Sequence, residues 1–203
     1  METYVGTAGN AVLLAQEGTG LYQALNQGIQ AAIDNPEVTH IGMLHSDDQL
    51  IPEAFEQYLS QISDNPAPMF YSDIQFHDAS GKTVRKWQSS AFSRFKLNTG
   101  WMPPHTSVVV KKEVYIQSGL YNPDFGTAAD YDWLVRVLGV YGADSFYYAD
   151  STLSMLVGGA SSASSKARLA ANRMDGRVWA RHSKLYSIAI RFLKPFRKIG
   201  QFF

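Results

Sequence analysis

The chain has 203 residues, 45% hydrophobic and 18% charged, which suits a folded protein with a sizeable core. Lys plus Arg equals Asp plus Glu at 18 each, so no global electrostatic field favours nucleic acid as a partner. The sequence contains no cysteine, which excludes disulfides, zinc–thiolate sites and cysteine nucleophiles.

The first part of the chain predicts alternating strands and helices. A strand is predicted over Ala11–Ala15 and a helix over Leu21–Ile33, where apolar residues recur on one helical face. A second strand is predicted over Val38–Leu44 and a second helix from Pro52 to about Ile62, since proline suits the first turn of a helix. This alternation predicts parallel strands joined by a right-handed crossover.

The remainder of the chain predicts shorter, mixed elements. The predicted strands are Met69–Phe76, Thr83–Trp87, Ser107–Val110 and Ser145–Ala149, and the predicted helices are Ala91–Leu97, Lys112–Gln117, Ala129–Leu138 and a helical segment from Lys166 onward. The first two strands flank Asp78-Ala-Ser-Gly81, a turn signal, and therefore predict a hairpin. Together the elements predict an α/β fold, a mixed sheet with flanking helices.

Two adjacent carboxylates, Asp47 and Asp48, follow the apolar strand predicted over Val38–Leu44. Open α/β sheets bind ligands at the carboxyl ends of their strands. Adjacent carboxylates repel each other unless a cation or hydrogen-bond donors compensate, and such pairs suit magnesium or manganese bound together with substrate phosphates. The alternative is that the pair begins a turn and caps the next helix. His45 is predicted to face away from Asp47 and to serve in packing.

Five further segments accompany this pair in a defined order. They are Gly20-Leu-Tyr-Gln-Ala-Leu-Asn-Gln-Gly-Ile29, Met102-Pro-Pro-His-Thr-Ser-Val-Val-Val110, Gly119-Leu-Tyr-Asn-Pro-Asp-Phe125, Ala129-Asp-Tyr-Asp-Trp-Leu-Val-Arg136 and Gly158-Gly-Ala-Ser-Ser162. In this order the chain resembles family 2 glycosyltransferases of the colanic-acid or lipopolysaccharide type. These are inverting enzymes that use nucleotide sugars and have the Rossmann-like GT-A fold.

The resemblance implies a site for the nucleotide-sugar donor. Asp48 would hold a divalent metal, manganese or magnesium, which neutralises the charge developing on the diphosphate. The residues implied on the donor side are Gly20, Asn26, Asp47 and His105. For His105, a place at the acceptor site and a purely structural role are the alternatives. Gly158 and Gly159 form either a plain loop or a mobile lid over the donor.

The resemblance also implies a catalytic base. Asp130 matches the acidic residue that usually removes the proton of the attacking hydroxyl, and Asp132 is the second choice. An aspartate in the first turn of a helix can instead be purely structural, which is the alternative for Asp130. Arg136 is predicted to form an ion pair on the surface of its helix.

The implied function is transfer of a sugar, with inversion, from a UDP- or GDP-type donor to a glycan or lipid-linked acceptor in cell-surface polysaccharide synthesis. A non-catalytic glycosyltransferase-like module that binds a partner enzyme or a glycan remains open. A nucleotidyltransferase would also use paired carboxylates, although the chain has no basic glycine-rich phosphate loop.

The start of the chain departs from the family pattern. A full member begins with a strand–helix–strand unit that ends in Asp-Asp-Gly-Ser, and nothing in residues 1–10 replaces it. We therefore expect a truncated GT-A domain over residues 1–162, with an exposed apolar sheet edge that promotes self-association. Residues 163–203 are predicted to form a helical extension.

The last part of that extension is both basic and aromatic. Residues 184–203 contain five lysines and arginines among apolar and aromatic side chains. This composition suits a helix lying on an anionic membrane, and a terminal helix packed on the domain is the alternative. Because no apolar run is long enough to cross a bilayer and residues 1–20 lack a signal-peptide pattern, we expect a cytoplasmic protein, peripheral on the inner face of the cell membrane.

Overall fold

A computed structural model of the chain describes residues 11–157, 174 and 176–181. Within them the strands are β1 (His40–Gly42), β2 (Asp48–Leu50), β3 (Met69–His77), β4 (Thr83–Trp87), β5 (Val109–Lys111) and β6 (Phe146–Leu156). The helices are α1 (Leu21–Asp34), α2 (Pro52–Asp64), α3 (Arg94–Asn98), α4 (Lys112–Ser118) and α5 (Ala129–Tyr141). Short 3-10 turns cover His105–Ser107, Pro123–Ala128 and Gly142–Asp144.

The strands form one mixed sheet in the order β1-β5-β3-β6-β2, with β4 paired to β3 beside this path. The central pair, β3 and β6, is parallel and sets Phe70 opposite Phe146. The other pairs are antiparallel. The sheet therefore keeps one parallel step at its centre and places β1 and β2 at opposite ends of the strand order.

Helices cover both faces of this sheet, and the side chains of β3 alternate between the two cores that result. Met69 and Tyr71 belong to the larger core, which contains residues of α1, α4 and α5. Phe70 belongs to a smaller core with Tyr58 and Ile62 of α2. Met69, Phe70 and Tyr71 are all fully buried, so β3 begins with a continuous apolar run, as expected for a central strand covered on two faces.

The structure confirms the α/β class and several predicted elements. Helices α1, α2 and α4 occupy the predicted positions, and β3 and β4 form the predicted hairpin. The Asp78 carboxylate stabilises the hairpin turn by accepting from the backbone N–H groups of Ser80 and Lys82 at 2.9 and 3.1 Å. Gly81 closes this turn with a φ of 83°, a value that favours glycine.

The predicted parallel crossover at the start of the chain is wrong. Ala11–Ala15 has no regular secondary structure, and Val12 and Leu13 are 81% and 69% exposed. The predicted strand over Val38–Leu44 shortens to β1, which pairs antiparallel with β5 rather than parallel with a preceding strand. An apolar run becomes a strand only where a neighbour completes its hydrogen bonds, and residues 11–15 have no such neighbour among the described residues.

Other boundaries also shift. Strand β6 continues seven residues beyond the predicted end at Ala149, because its second half pairs with both β3 and β2. Strand β5 begins two residues later than predicted, since Ser107 belongs to a 3-10 turn. Helix α3 begins at Arg94 rather than at Ala91. Strand β2 was not predicted, because Asp48-Gln-Leu50 lacks an alternating apolar pattern.

The predicted loop at Gly158–Ser162 and the basic segment 184–203 lie outside the described residues. Residues 176–180 are helical, as predicted for this part of the chain, and Val178 and Trp179 are buried in the larger core. The Trp179 indole N–H donates to the Tyr131 hydroxyl at 2.9 Å. In the part of the chain that the structure describes, no helix has both the length and the apolarity to cross a membrane.

Candidate functional site

Asp48 opens β2 at one end of the strand order and lies opposite Met155 of β6. Its backbone N–H donates to the carbonyl of His45 at 3.1 Å, which closes a tight turn between β1 and β2. The residue is only 8% exposed, yet neither carboxylate oxygen has a hydrogen-bond partner among the described residues. Asp47, by contrast, is exposed beside it.

The electrostatic state of Asp48 follows from this burial. Loss of water around the carboxylate raises the pKa of Asp48, and the neighbouring Asp47 raises it further, while His45 and His105 oppose the shift. A buried carboxylate without partners is costly, because water no longer solvates its charge. The site therefore fits a cation or a group that brings hydrogen-bond donors.

A pair of histidines lies beside Asp48. The rings of His45 and His105 meet edge to face, with centroids 5.7 Å apart. Thr106, the residue after His105, donates to the sulfur of Met155 at 3.7 Å. Because Met155 is the β6 residue opposite Asp48, this contact holds the His105 segment close to Asp48. Burial lowers the pKa of His45, and His105 lowers it further, so His45 favours the neutral form.

His105 links this group to α5. Its Nδ1 lies 3.3 Å from Oδ2 of Asp130, and the two side chains are 29% and 16% exposed. The other oxygen of Asp130 accepts the backbone N–H of Tyr131 at 2.7 Å. Tyr22 of α1 also interacts with Asp130, and burial followed by this carboxylate raises the pKa of the Tyr22 hydroxyl. Asp130 is thus surrounded by hydrogen-bond donors from three segments.

Sequence reasoning missed His45 and Tyr22. The sequence predicts a packing role for His45, but β1 ends at Gly42 and residues 45–48 form a turn, which aims the imidazole at His105. Tyr22 stands four residues before Asn26 on α1, and this spacing places both on one helical face. That shared face was the available signal for a contact with the α5 region.

Two residues predicted on the donor side have structural contacts. The side-chain amide of Asn26 donates to the carbonyl of Tyr121 at 2.9 Å and accepts its N–H at 3.0 Å. Asn26 therefore fastens the segment before α5 to α1. Gly20 precedes α1 with a φ of 108°, and its carbonyl accepts from the N–H of Ala24, so Gly20 sets the start of the helix that carries Tyr22.

Asp132 forms an ion pair of its own, with Arg136. Its Oδ2 lies 3.1 Å from Nε of Arg136, and the Asp132 side chain is 3% exposed. Arg136 also donates to the carbonyls of Leu120 and Ser118. The predicted ion pair of Arg136 is therefore partly buried and ties α5 to the loop after α4. A carboxylate engaged in this way is a poor candidate for proton abstraction.

The structure thus brings together five of the residues considered, namely Tyr22, His45, Asp48, His105 and Asp130. We call this group the Asp48–Asp130 cluster. No set of three or more His, Cys, Asp or Glu side chains within the described residues has the arrangement of a complete metal site. A cavity of about 750 Å³ lies elsewhere, between α3, the end of α4 and α5, and includes none of these five residues.

The chemistry of the cluster has two parts. The unpaired Asp48 can bind a cation or hydroxyl groups, and the His105–Asp130 pair can accept a proton. No protein-family model matches this chain, and a search of curated proteins finds no match either. What the chain does must therefore be inferred from the side chains of the cluster.

Proposed function

We propose that this chain is an inverting glycosyltransferase that uses a nucleotide sugar, built on a partial GT-A fold. The observation that carries the proposal is that an unpaired buried carboxylate, Asp48, lies close enough to His105 of the His105–Asp130 pair for the two to interact electrostatically. These residues come from three separate parts of the chain. Glycosyl transfer needs both features, a site for the charged diphosphate and a group that takes up a proton.

The donor side of the proposed site is Asp48 with Asp47. The two unpaired oxygens of Asp48 fit a divalent ion, manganese or magnesium, because hard cations prefer carboxylate oxygens. One aspartate pair does not complete the coordination of such an ion, which suits a site where donor phosphates supply further ligands. Bound there, the ion would supply positive charge to the departing diphosphate. Asp47 is exposed and available to the ribose or the sugar.

The acceptor side is the His105–Asp130 pair. A sugar hydroxyl becomes a good nucleophile only as its proton is removed, and a positioned histidine–carboxylate pair does this in many enzymes. Tyr22 and the N–H of Tyr131 hold the Asp130 carboxylate in place. Direct displacement at one face of the sugar, with the leaving diphosphate at the other, gives inversion.

The proposed acceptor is a glycan or a lipid-linked glycan, reached by peripheral contact of residues 184–203 with an anionic membrane. The support is the basic and aromatic composition of this segment. Co-sedimentation with anionic liposomes tests it. Removal of residues 191–203 should abolish binding, and unchanged binding of the shortened chain would contradict the membrane contact.

The proposed activity is tested by release of nucleoside diphosphate from a panel of UDP- and GDP-hexoses with manganese present. The intact chain should turn over at least one donor, and Asp48→Asn should lower the rate by about 100-fold or more, as expected for loss of an electrostatic contact in the transition state. Asp124→Asn, which changes an exposed carboxylate outside the cluster, is the matched control and should leave the rate unchanged. Absence of turnover together with absence of nucleotide binding would favour a non-catalytic module.

A further inference from the structure

We propose that the atom which accepts the proton of the attacking hydroxyl is Nε2 of His105, and that Asp130 is the residue that orients this imidazole. The inference rests on the proposed glycosyl transfer, and it assigns the proton acceptor within that site. The resemblance to known transferases implied the opposite assignment, with Asp130 as the base. The contacts around Asp130 favour His105 over Asp130 as the proton acceptor.

The Asp130 carboxylate is already engaged by several donors. Oδ1 accepts the N–H of Tyr131 at 2.7 Å, Oδ2 lies 3.3 Å from Nδ1 of His105, and the Tyr22 hydroxyl interacts with the same residue. Each of these groups stabilises the negative charge, and the N–H of Tyr131 and the hydroxyl of Tyr22 occupy lone pairs that a proton would need. A carboxylate held in this way is suited to positioning a neighbour rather than to taking up a proton from substrate.

The imidazole of His105 has the complementary arrangement. A carboxylate beside Nδ1 favours the tautomer with the proton on Nδ1, which leaves the lone pair on Nε2. Nε2 lies on the other edge of the ring, away from Asp130, and none of the described residues makes a hydrogen bond to it. The side chain is 29% exposed, so part of the ring is accessible to a substrate hydroxyl.

The backbone around His105 is rigid, which favours a fixed direction for Nε2. The Ser107 hydroxyl lies 2.9 Å from both the carbonyl of Pro104 and the carbonyl of Ser72, and it accepts the N–H of Ser72 at 3.1 Å. These buried contacts fasten the 3-10 turn that carries His105 to β3. The edge-to-face contact with His45 restrains the ring itself. General-base catalysis depends on this kind of fixed geometry.

The acceptor oxygen forms a bond to the anomeric carbon of the donor as the bond from that carbon to the diphosphate oxygen breaks, and the electron pair of the broken bond leaves with the diphosphate. The hydroxyl proton moves to Nε2 of His105, which becomes an imidazolium. The Asp130 carboxylate stabilises this cation, which later returns its proton to solvent.

The test is chemical rescue in the full-length chain, with release of nucleoside diphosphate from the UDP- and GDP-hexose panel as the readout. His105→Ala should lose about 100-fold or more in rate, the usual contribution of a general base, and added imidazole should restore much of it. Asp130→Ala should be slow as well, and added formate should not restore it. His40→Ala, which removes a histidine from the far end of β1, is the control and should not respond to imidazole.

A merely structural role for His105 would not give rescue by imidazole. His105→Gln, which keeps an N–H donor for Asp130 but has no basic nitrogen, guards against a folding defect and should show the same loss. Rescue of Asp130→Ala by formate without rescue of His105→Ala by imidazole would overturn the assignment, as would near-normal turnover by His105→Gln. Failed rescue of both variants would also overturn it.

A wild-type chain without turnover on any donor would contradict the proposed function itself. The assignment of the proton acceptor is then decided by the tautomer of His105 in the intact wild-type chain, measured by ¹⁵N NMR. A protonated Nδ1 with a bare Nε2, changed by Asp130→Asn, is the expected result. A proton on Nε2 would overturn the inference independently of any activity.

Discussion

Asp48 and Asp132 are both buried aspartates, 8% and 2% exposed, but their surroundings differ. Asp132 lies 3.1 Å from Arg136, which in turn holds the carbonyls of Leu120 and Ser118. Neither oxygen of Asp48 finds a partner among the described residues. The Asp132 carboxylate completes a network inside the fold, whereas the Asp48 carboxylate presents unsatisfied charge at one end of the strand order.

A third buried aspartate shows that this fold can satisfy a carboxylate at the sheet. One oxygen of Asp73, on β3, accepts from the N–H of Ser89 and from the Tyr147 hydroxyl, both at 2.7 Å. Buried polar groups are generally paired, because an unpaired one costs folding free energy. The cost at Asp48 is explained if the residue serves a bound group, since functional sites retain such unfavourable features.

The largest expected effect concerns the paired carboxylate. Asp132→Ala should lower the free energy of unfolding by about 3 kcal/mol, because it leaves the Arg136 guanidinium partly buried without its anion. Urea unfolding measures this loss, with the exposed Asp124→Ala as control. A change as small as that of the control would show that the Asp132–Arg136 pair does not stabilise the fold and would remove the contrast with Asp48.

The next prediction distinguishes a structural role of Asn26 on α1 from a role in donor binding. Asn26→Ala should lower the free energy of unfolding by about 2 kcal/mol, because it removes two hydrogen bonds that satisfy the backbone of Tyr121. Asn26→Asp keeps the acceptor and loses the donor, so it should lie between the wild type and the alanine variant. Loss of nucleotide binding without loss of stability would instead place Asn26 on the donor side.

The smallest effect is a gain of stability from removing the unpaired charge. Burial raises the pKa of Asp48 in the folded chain above its unfolded value. As pH rises, the unfolded state therefore loses this proton first, and the ionisation of Asp48 lowers stability above its unfolded pKa. Asp48→Asn should raise Tm at pH 7 by roughly 2–4 °C per kcal/mol relieved, measured without divalent metal.

The gain should shrink as pH falls toward about 4, where the unfolded carboxyl becomes protonated. The exposed Asp124→Asn should show no such pH-dependent gain. A loss of stability in Asp48→Asn at pH 7 would mean that this carboxylate is stabilised in the folded chain, and Asp48 would then resemble Asp132.

The pattern of the sequence identified the main acidic residues but not their partners. Asp48, His105 and Asp130 were selected from local motifs, and the structure places them in one cluster. Asp130 and Asp132 share the first turn of α5, but residues that are two positions apart on a helix point to different sides. Only packing decides which of these sides meets the histidine. Local sequence carries no information on that choice.

The errors in the fold have the same origin. The pairing of β1 with β5 joins residues about 70 positions apart in the chain. Strand β2 forms because β6 is long enough to pair with it. Such pairings depend on distant parts of the chain, whereas the periodicity that predicted α1 and α2 is local. The direction of His45 depends on the short turn between β1 and β2, which the strand pattern did not predict.

The central claim is that the unpaired carboxylate of Asp48 serves a metal-bound nucleotide. Isothermal titration of UDP and of GDP into the intact chain, with and without manganese, tests it most directly. We predict manganese-dependent binding of one nucleotide that weakens at least about 10-fold in Asp48→Asn and is unchanged in the exposed Asp124→Asn. Equal affinity of the wild type and Asp48→Asn, or no manganese-dependent binding by either, would contradict the claim.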